Sequence, residues 1–358
     1  MYSTVLARSI VLCALLFSCP GFTTAQTIRI GVLGLLHPKE LTLAAAHSEA
    51  VLVLVADQSF VLAPNSPRDI ARIRIAADIL SVEIKGQLLQ AKEVRAASRN
   101  GSPVTLVLSV PEEITRQYRG SLTIIVAAGN TIQPIIALDL ETAVASAVLA
   151  ESAPNTPLEA LKAQSVVTRS YYAAGSGRHE NFDFCDLTHC QFFGEPPSPK
   201  SPAAEATAAT QGLVLSYDEK PIATMFTRSC GGRTRTPAEL GLPTNSYPYF
   251  AVLCDMCHKN PVRWTRRVSP EDAAILTKGE AGRLAVDRRL GWHAVPSNNF
   301  SAHTENAQVV LEGSGHGHGI GLCQRGASAM ARTGATFREI LAHYFPNTAL
   351  IAAPQPSQ

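Results

Sequence analysis

The segment from Thr156 to Ala174 most constrains how this chain folds, because it has both the start signals and the continuation of a helix. Thr156 offers an N-cap hydroxyl, Pro157 suits the first helical position, and Glu159 places an acid in the first turn. Just before it, Leu140 to Leu149 carries apolar residues at helical spacing. Two consecutive helices are therefore predicted in the middle of the chain.

The region before these helices has the short apolar runs typical of strands, such as Ile28 to Val32, Ala50 to Val55 and Val104 to Val110. Ser121 to Val126 and Ile132 to Leu138 flank Ala128-Gly129-Asn130, which predicts a hairpin. This region holds no cluster of catalytic residue types. The predicted fold class is α+β, with a β-rich N-terminal part followed by a mixed α/β domain.

The sequence of the second half of the chain predicts a mixture of short helices and strands. We expect helices at Ala203 to Thr210, Gln324 to Ala331 and Thr336 to Tyr344, strands at Gly212 to Tyr217, Pro221 to Phe226 and Val309 to Leu311, an irregular loop from Tyr247 to Pro261, and a flexible tail after Pro346.

The first 25 residues resemble a secretory signal peptide. Arg8 precedes an apolar run from Ile10 to Phe17, and Thr23 to Ala25 supplies a small-residue cleavage site. An exported protein is therefore expected, with no transmembrane anchor, because no later apolar run is long enough to span a bilayer. The alternative is a lipoprotein signal, in which case Cys19 becomes a lipidated N-terminus.

Composition narrows the class of protein. With 46% hydrophobic and 17% charged residues, the chain can form globular cores. Its formal net charge of +2 does not indicate a nucleic-acid-binding surface. The predicted division is a signal peptide over residues 1–25, a β-rich N-terminal region over 26–118, a main domain over 119–346 and a flexible tail over 347–358.

A cluster of metal-ligating residue types follows the second predicted helix. His179, Cys185, His189 and Cys190 supply two imidazoles and two thiols within twelve residues, which is the ligand set of a closed tetrahedral zinc site. The alternative is a disulfide between Cys185 and Cys190 in an oxidising compartment. Their chemistry alone leaves both interpretations open.

Four further cysteines, Cys230, Cys254, Cys257 and Cys323, lie outside the predicted signal peptide. Cys254 and Cys257 have the spacing of a redox or metal pair, but no thioredoxin-like βαβ pattern surrounds them. A structural disulfide among the four is the preferred interpretation, and its pairing is left open.

Glu151 and Glu159 are candidate acids for catalysis. A carboxyl group whose pKa is raised by burial can protonate a leaving oxygen and later accept a proton. Glu159 lies in a first helical turn, where acids also occur for stability, whereas Glu151 is expected in a loop with no capping role. His316 and His318 lie between glycines, and a sharp turn that presents one histidine to a cleft is expected there.

Four motifs together resemble the SpoIID/LytB domain family. Residues 159–171 are similar to its EALKAQAVAARTY signature, residues 182–191 to its DVCD segment that ends in Gln, residues 229–234 to its S-x-G-G-x-T motif, and residues 317–327 to its GHGVGMSQ-x-G-A motif. The motifs occur in order within residues 119–346. The segment before about residue 110 is not covered by the resemblance.

The resemblance implies action on peptidoglycan glycan strands, either as a lytic transglycosylase or as a non-catalytic enhancer of a cell-wall amidase. It places the protein in the periplasm or cell envelope. The family's acid maps to Glu151, although Ser152-Ala153 departs from the usual methionine, and the resemblance favours structural zinc in the region from His179 to Cys190. The candidate residues that follow are Glu151, Glu159 and His318 for catalysis and Lys162, Gln164, Arg169, Gln191, Ser229 and Gln324 for substrate binding.

Overall fold

A computed structural model describes residues 26–46, 49–64, 66, 68–175, 179–187, 190–244 and 247–354. The predicted signal peptide, residues 1–25, lies outside the described residues. The described chain contains both helices and many strands, with the strands concentrated in the first 139 residues. The prediction of an α+β fold with a β-rich N-terminal part is therefore confirmed.

The N-terminal region is built from eleven strands. They are β1 (Thr27–Gly31), β2 (Glu40–Ala45), β3 (Val51–Val55), β4 (Gln58–Leu62), β5 (Ile70–Ala76), β6 (Ile79–Ile84), β7 (Gln87–Ala91), β8 (Glu93–Ala97), β9 (Val104–Val110), β10 (Ile114–Ala127) and β11 (Thr131–Asp139). Apolar side chains alternate with polar ones along several of these strands. In β9, for example, Val104, Leu106, Leu108 and Val110 are all buried in one core.

Strand β10 connects two parts of this sheet. Its first half, Ile114 to Gly120, pairs with β9, and its second half pairs with β8 on one side and β11 on the other. The change of partner occurs at Gly120, where φ is +152° and an added Cβ would lie 2.5 Å from the carbonyl oxygen of Ala137. Glycine is required at this bend because a side chain has no room.

Helix α1 (Leu140–Glu151) follows β11 directly, and α2 (Leu158–Ala174) follows α1. The side chain of Asp139 caps α1 by accepting a hydrogen bond from the Thr142 N–H at 2.9 Å. Helix α2 begins one residue later than predicted, with Pro157 rather than Thr156 at the N-cap position. Both predicted helices and the predicted β10–β11 hairpin are present.

The remaining elements form smaller sheets and helices. They are β12 (Phe184–Cys185), α3 (Pro202–Ala209), β13 (Leu213–Tyr217), β14 (Lys220–Pro221), β15 (Phe226–Thr227), α4 (Asp255–Lys259), β16 (Arg263–Val268), α5 (Pro270–Leu276), α6 (Glu280–Leu290), β17 (Phe300–Glu305), β18 (Gln308–Ser314), β19 (Leu322–Cys323), α7 (Gln324–Arg332), α8 (Phe337–Tyr344) and β20 (Ala349–Ala352). Strand β12 adds to the large sheet by pairing in parallel with β1.

Three local predictions are wrong. Only the ends of the predicted strand from Pro221 to Phe226 are strands, because the chain turns at Thr224, whose N–H donates to the Ile222 carbonyl. The predicted loop from Tyr247 to Pro261 contains α4. Within the tail predicted to be flexible, Ala349–Ala352 forms β20, which pairs antiparallel with β13.

Among the described residues, no helix combines the length and the apolar character needed to cross a membrane. The buried apolar residues form three clusters: one within the large sheet and under α1, one around α2, α7 and α8, and a small one between α5, α6 and the sheet of β16 to β18. The second cluster contains Cys230, Cys254, Cys257 and Cys323.

Candidate functional site

Glu151 is the last residue of α1, not a loop residue as the sequence predicted. The Ser152 N–H still donates to the Val148 carbonyl, so the helix continues to Glu151 and ends before Pro154. The carboxyl group therefore lies at the C-terminal end of α1, a helix that is mostly buried. Its side chain is partly exposed.

Two hydrogen bonds fix Glu151. Its Oε1 accepts from the Phe192 N–H at 3.0 Å, and its backbone carbonyl accepts from Nε2 of Gln324 at 3.1 Å. Burial raises the pKa of Glu151 above its ordinary value, and the Phe192 N–H and the charge of Arg228 oppose this rise without cancelling it. A partly exposed carboxyl group that keeps its proton to higher pH is suited to general acid catalysis.

The N-terminal sheet supports the segment that contacts Glu151. The ring of Phe193 stacks on that of Tyr118 in β10 with centroids 6.0 Å apart, and the guanidinium of Arg116 lies 5.7 Å from the centre of the Phe192 ring. The Phe192 N–H that binds Glu151 is therefore held from the side of β10.

Arg228 is a site residue that sequence reasoning missed. Strands β15 and β19 pair in parallel, with Phe226 opposite Leu322 and Thr227 opposite Cys323, so Arg228 and Gln324 leave the pair at the same end. Gln324 contacts Glu151, and the charge of Arg228 acts on Glu151 and also lowers the pKa of His316. The only signal for Arg228 in the sequence is its position next to the Ser229 motif.

His316 and His318 have different surroundings. The Nδ1 of His318 accepts from the Ile320 N–H at 3.0 Å, and its ring also hydrogen-bonds to the backbone of Phe226. Burial lowers the pKa of both histidines, so both rings are neutral at pH 7. The charge of Arg228 acts on both His316 and Glu151. His318 braces the turn through its backbone contacts.

Glu159 is engaged in structural contacts. Its Oε2 accepts from the Phe337 N–H at 2.7 Å and its Oε1 from Nζ of Lys162 at 2.6 Å. Burial opposes ionisation of Glu159, but these two hydrogen bonds outweigh it and lower its pKa. Glu159 thus remains ionised and holds the start of α8, which disfavours a role as proton donor.

Replacing Glu159 by alanine is expected to lower the free energy of unfolding at pH 7 by about 1 kcal/mol, since two charge-assisted hydrogen bonds at a partly exposed site are lost. Because the pKa of Glu159 is lowered in the fold, its contribution is present above the unfolded-state pKa and is lost as pH falls through the folded one. Urea unfolding of both proteins at neutral and acidic pH measures this. Glu205→Ala, an exposed first-turn glutamate of α3, is the matched control, and an equal loss there would contradict the assignment.

Arg169 is fully buried and lies away from solvent. Its guanidinium makes a bidentate ion pair with Glu141 at 2.8 and 2.6 Å and donates to the carbonyls of Leu213 and Thr207. These contacts join α2 to α1, α3 and β13. Because its donors are committed to the protein, we leave Arg169 out of the proposed substrate-binding set.

Gln164 and Gln191 are buried polar residues with unmet hydrogen bonds. Within the described residues, both amide atoms of Gln164 and the Oε1 of Gln191 are buried without a partner. Such groups need water or a ligand, because a buried amide without partners is costly. Gln191 immediately precedes Phe192, so it lies beside Glu151. Ser229 is buried, and its Oγ lies 3.4 Å from the Sγ of Cys257.

Two groups of metal-ligating side chains converge. His179, Cys185 and Cys190 place their ligand atoms within 4.8 Å of one another, with Nε2 of His179 3.4 Å from the Sγ of Cys190. The predicted fourth ligand, His189, lies outside the described residues. The second group is Cys230, Cys254, Cys257 and Cys323. The structure contains no disulfide bond among these four cysteines, contrary to the preferred interpretation of the sequence.

Comparisons with known proteins agree with these motifs. Residues 128–217 match the model of the family SpoIID, described as Stage II sporulation protein, and this range includes Glu151 and Glu159. An uncharacterized protein of Brachyspira hyodysenteriae is 28% identical over 264 residues, which cover 64% of this chain and 71% of that protein.

Two relatives from Bacillus have descriptive names. The Stage II sporulation protein D of Bacillus amyloliquefaciens is 27% identical over 39% of this chain and 48% of its own length. The amidase enhancer of Bacillus subtilis is 24% identical over 54% of this chain and 38% of its own length. The chain thus spans about half or less of the length of these two proteins.

Proposed function

We propose that this chain, whose residues 128–217 match the SpoIID family model, is an exported lytic transglycosylase that cleaves the glycan strands of peptidoglycan with Glu151 as its acid and base. The observation that carries the proposal is the Glu151 carboxyl group, which burial keeps protonated to higher pH and which the Phe192 N–H holds in place.

The reaction needs a single carboxyl group. Glu151 donates its proton to the glycosidic oxygen, and the carboxylate that results accepts the proton of the C6 hydroxyl of the muramic acid residue. The C6 oxygen bonds to C1 as the glycosidic bond breaks, so an anhydro ring forms and no water is consumed. A second acid, which most glycosidases need, is therefore unnecessary.

The surroundings of Glu151 suit this cycle. The Phe192 N–H stabilises the carboxylate between the two proton transfers, and the positive charge of Arg228 does the same from the other strand. Neutral His316 supplies a ring that donates or accepts a hydrogen bond. Gln324 positions the end of α1 through its bond to the Glu151 carbonyl.

The test is digestion of glycan strands by the purified protein. Denuded strands and strands with stem peptides are incubated with wild type and with Glu151→Gln, and the products are analysed by mass spectrometry for anhydro-muramic ends. We expect such ends from wild type and very few from the variant. No anhydro product from wild type on either substrate would overturn the enzyme assignment.

A second experiment tests the alternative function, that of a non-catalytic enhancer of a cell-wall amidase, which the similarity to the amidase enhancer suggests. The protein is mixed with a cell-wall amidase and intact peptidoglycan, and the release of stem peptides is measured. Faster release with wild type and with Glu151→Gln alike, without anhydro ends, would identify a non-catalytic enhancer. Under the proposal, the added protein increases glycan cleavage and the increase depends on Glu151.

A further inference from the structure

Four cysteines from three distant parts of the chain meet inside the second core. Cys230 follows β15, Cys254 and Cys257 begin α4, and Cys323 is the N-cap of α7. Their sulfur atoms all lie within 4.8 Å of one another, and each residue is at most 3% exposed. The sulfurs of Cys257 and Cys323 are 3.6 Å apart.

This separation fits a metal site. Four thiolates at about 2.3 Å from a tetrahedral zinc ion lie about 3.8 Å from one another. A disulfide instead brings two sulfurs to about 2.05 Å and leaves the other two outside the bond. Full burial also argues against a redox-active Cys254-x-x-Cys257 pair, because thiol exchange requires access.

Hydrogen-bond donors surround the sulfurs. The Sγ of Cys323 accepts from the N–H groups of Cys230 and Gly326, both at 3.4 Å. The hydroxyls of Ser229 and Tyr344 lie 3.4 Å from the Sγ of Cys257 and 3.3 Å from that of Cys254. Such donors are typical of the outer shell of a metal site, where they orient thiolates and stabilise their charge.

Adjacent thiolates repel one another. A divalent cation offsets this repulsion and lets all four cysteines serve as ligands.

We propose that Cys230, Cys254, Cys257 and Cys323 bind one Zn²⁺ ion in a closed, structural tetrathiolate site. Soft thiolate ligands in a tetrahedral arrangement select zinc over the hard cations. No open position is left for water, so the ion stabilises the fold and performs no chemistry. This proposal does not depend on the activity proposed for Glu151.

The position of the site gives it a structural role near Glu151. Cys323 directly precedes Gln324, which hydrogen-bonds to the Glu151 carbonyl, and Cys230 lies two residues after Arg228, whose charge acts on Glu151. Ser229 also pairs with His316 through two backbone hydrogen bonds of 3.1 and 2.7 Å. One ion would therefore hold together the ends of β15 and β19 and, through Ser229, the glycine-rich turn at His316.

The test uses Cys185→Ser/Cys190→Ser, which removes two ligands of the other cluster and leaves the four cysteines intact. The full chain is purified without a tag and under anaerobic conditions, and its zinc content is measured by mass spectrometry. X-ray absorption at the zinc edge gives the ligands. We expect one zinc per chain with four sulfur neighbours at about 2.3 Å.

Cys257→Ser in the same background is the counterpart, and we expect it to lose this zinc. Should that variant fail to fold, the absorption spectrum of its parent still decides the question. Absence of zinc from the reduced parent after incubation with excess Zn²⁺ would overturn the proposal. So would a ligand shell that contains nitrogen or oxygen, or two disulfides among the four cysteines in freshly isolated protein.

Discussion

Replacing Glu151 by glutamine is expected to lower the rate of anhydro-muramic product formation by about 10²- to 10⁴-fold, the usual contribution of a general acid. Glutamine keeps the shape of the side chain and an oxygen for the Phe192 N–H, but it has no acidic proton to transfer. The rate is measured from the appearance of anhydro ends. Glu205→Gln, an exposed glutamate of α3, is the matched control and should keep the wild-type rate.

The pH dependence of the rate and of the stability distinguishes a loss of catalysis in Glu151→Gln from a loss of folding. The wild-type rate should fall as pH rises through the pKa of Glu151, which lies above that of an ordinary glutamate. Because that pKa is raised in the fold, the stability that Glu151 contributes is present below the unfolded-state pKa and is lost as pH rises through the folded one. The glutamine variant should therefore be at least as stable as wild type at neutral pH. If it is stable and retains the rate within a few fold, the acid is another residue.

Replacing Arg169 by alanine is expected to lower the free energy of unfolding by about 3–5 kcal/mol, because it breaks a buried ion pair and leaves one partner behind. The Arg169 side chain is fully buried, while 28% of the Glu141 side chain is exposed. Two backbone carbonyls also lose their donors, and a cavity opens where α1, α2, α3 and β13 meet. Urea unfolding, with the midpoint and slope fitted separately, gives the value.

Arg267→Ala is the control for Arg169. Arg267 pairs with Glu305 at 2.8 Å, but about half of each side chain is exposed, so its loss should cost less than about 1 kcal/mol. Similar losses for the two variants would show that Arg169 does not brace the helices. A double change of Arg169 to methionine and Glu141 to leucine should recover part of the stability, since no unpaired charge then remains.

Local sequence signals predicted the parts of the fold that depend on neighbouring residues. The cap and proline signals located α2 to within one residue, and Ala128-Gly129-Asn130 located the β10–β11 hairpin. The strand β20 was missed, because its four residues are stabilised by distant pairing with β13 rather than by a local pattern. Helices α5 and α6 were not predicted either.

For the candidate site too, the sequence did not predict the features that depend on contacts between distant segments. Glu151 was singled out from its motif, but its place at the end of α1 and its contacts with Phe192 and Gln324 depend on segments far away in sequence. Arg228 could not be found locally, because only the parallel pairing of β15 with β19 brings it near Glu151. The four cysteines were interpreted as disulfide partners, since spacing along the chain does not show that all four sulfurs meet at one point.

Strand β10 limits how this protein can be divided. A fragment that began at residue 119 would cut the strand after Tyr118, which stacks on Phe193, and would remove Arg116 from the ring of Phe192. It would also remove β1, which pairs with both β11 and β12. Grafting only the half that contains Glu151 onto another scaffold should therefore leave Glu151 without its hydrogen-bond donor in place. The smallest transplantable unit must include the sheet that precedes it.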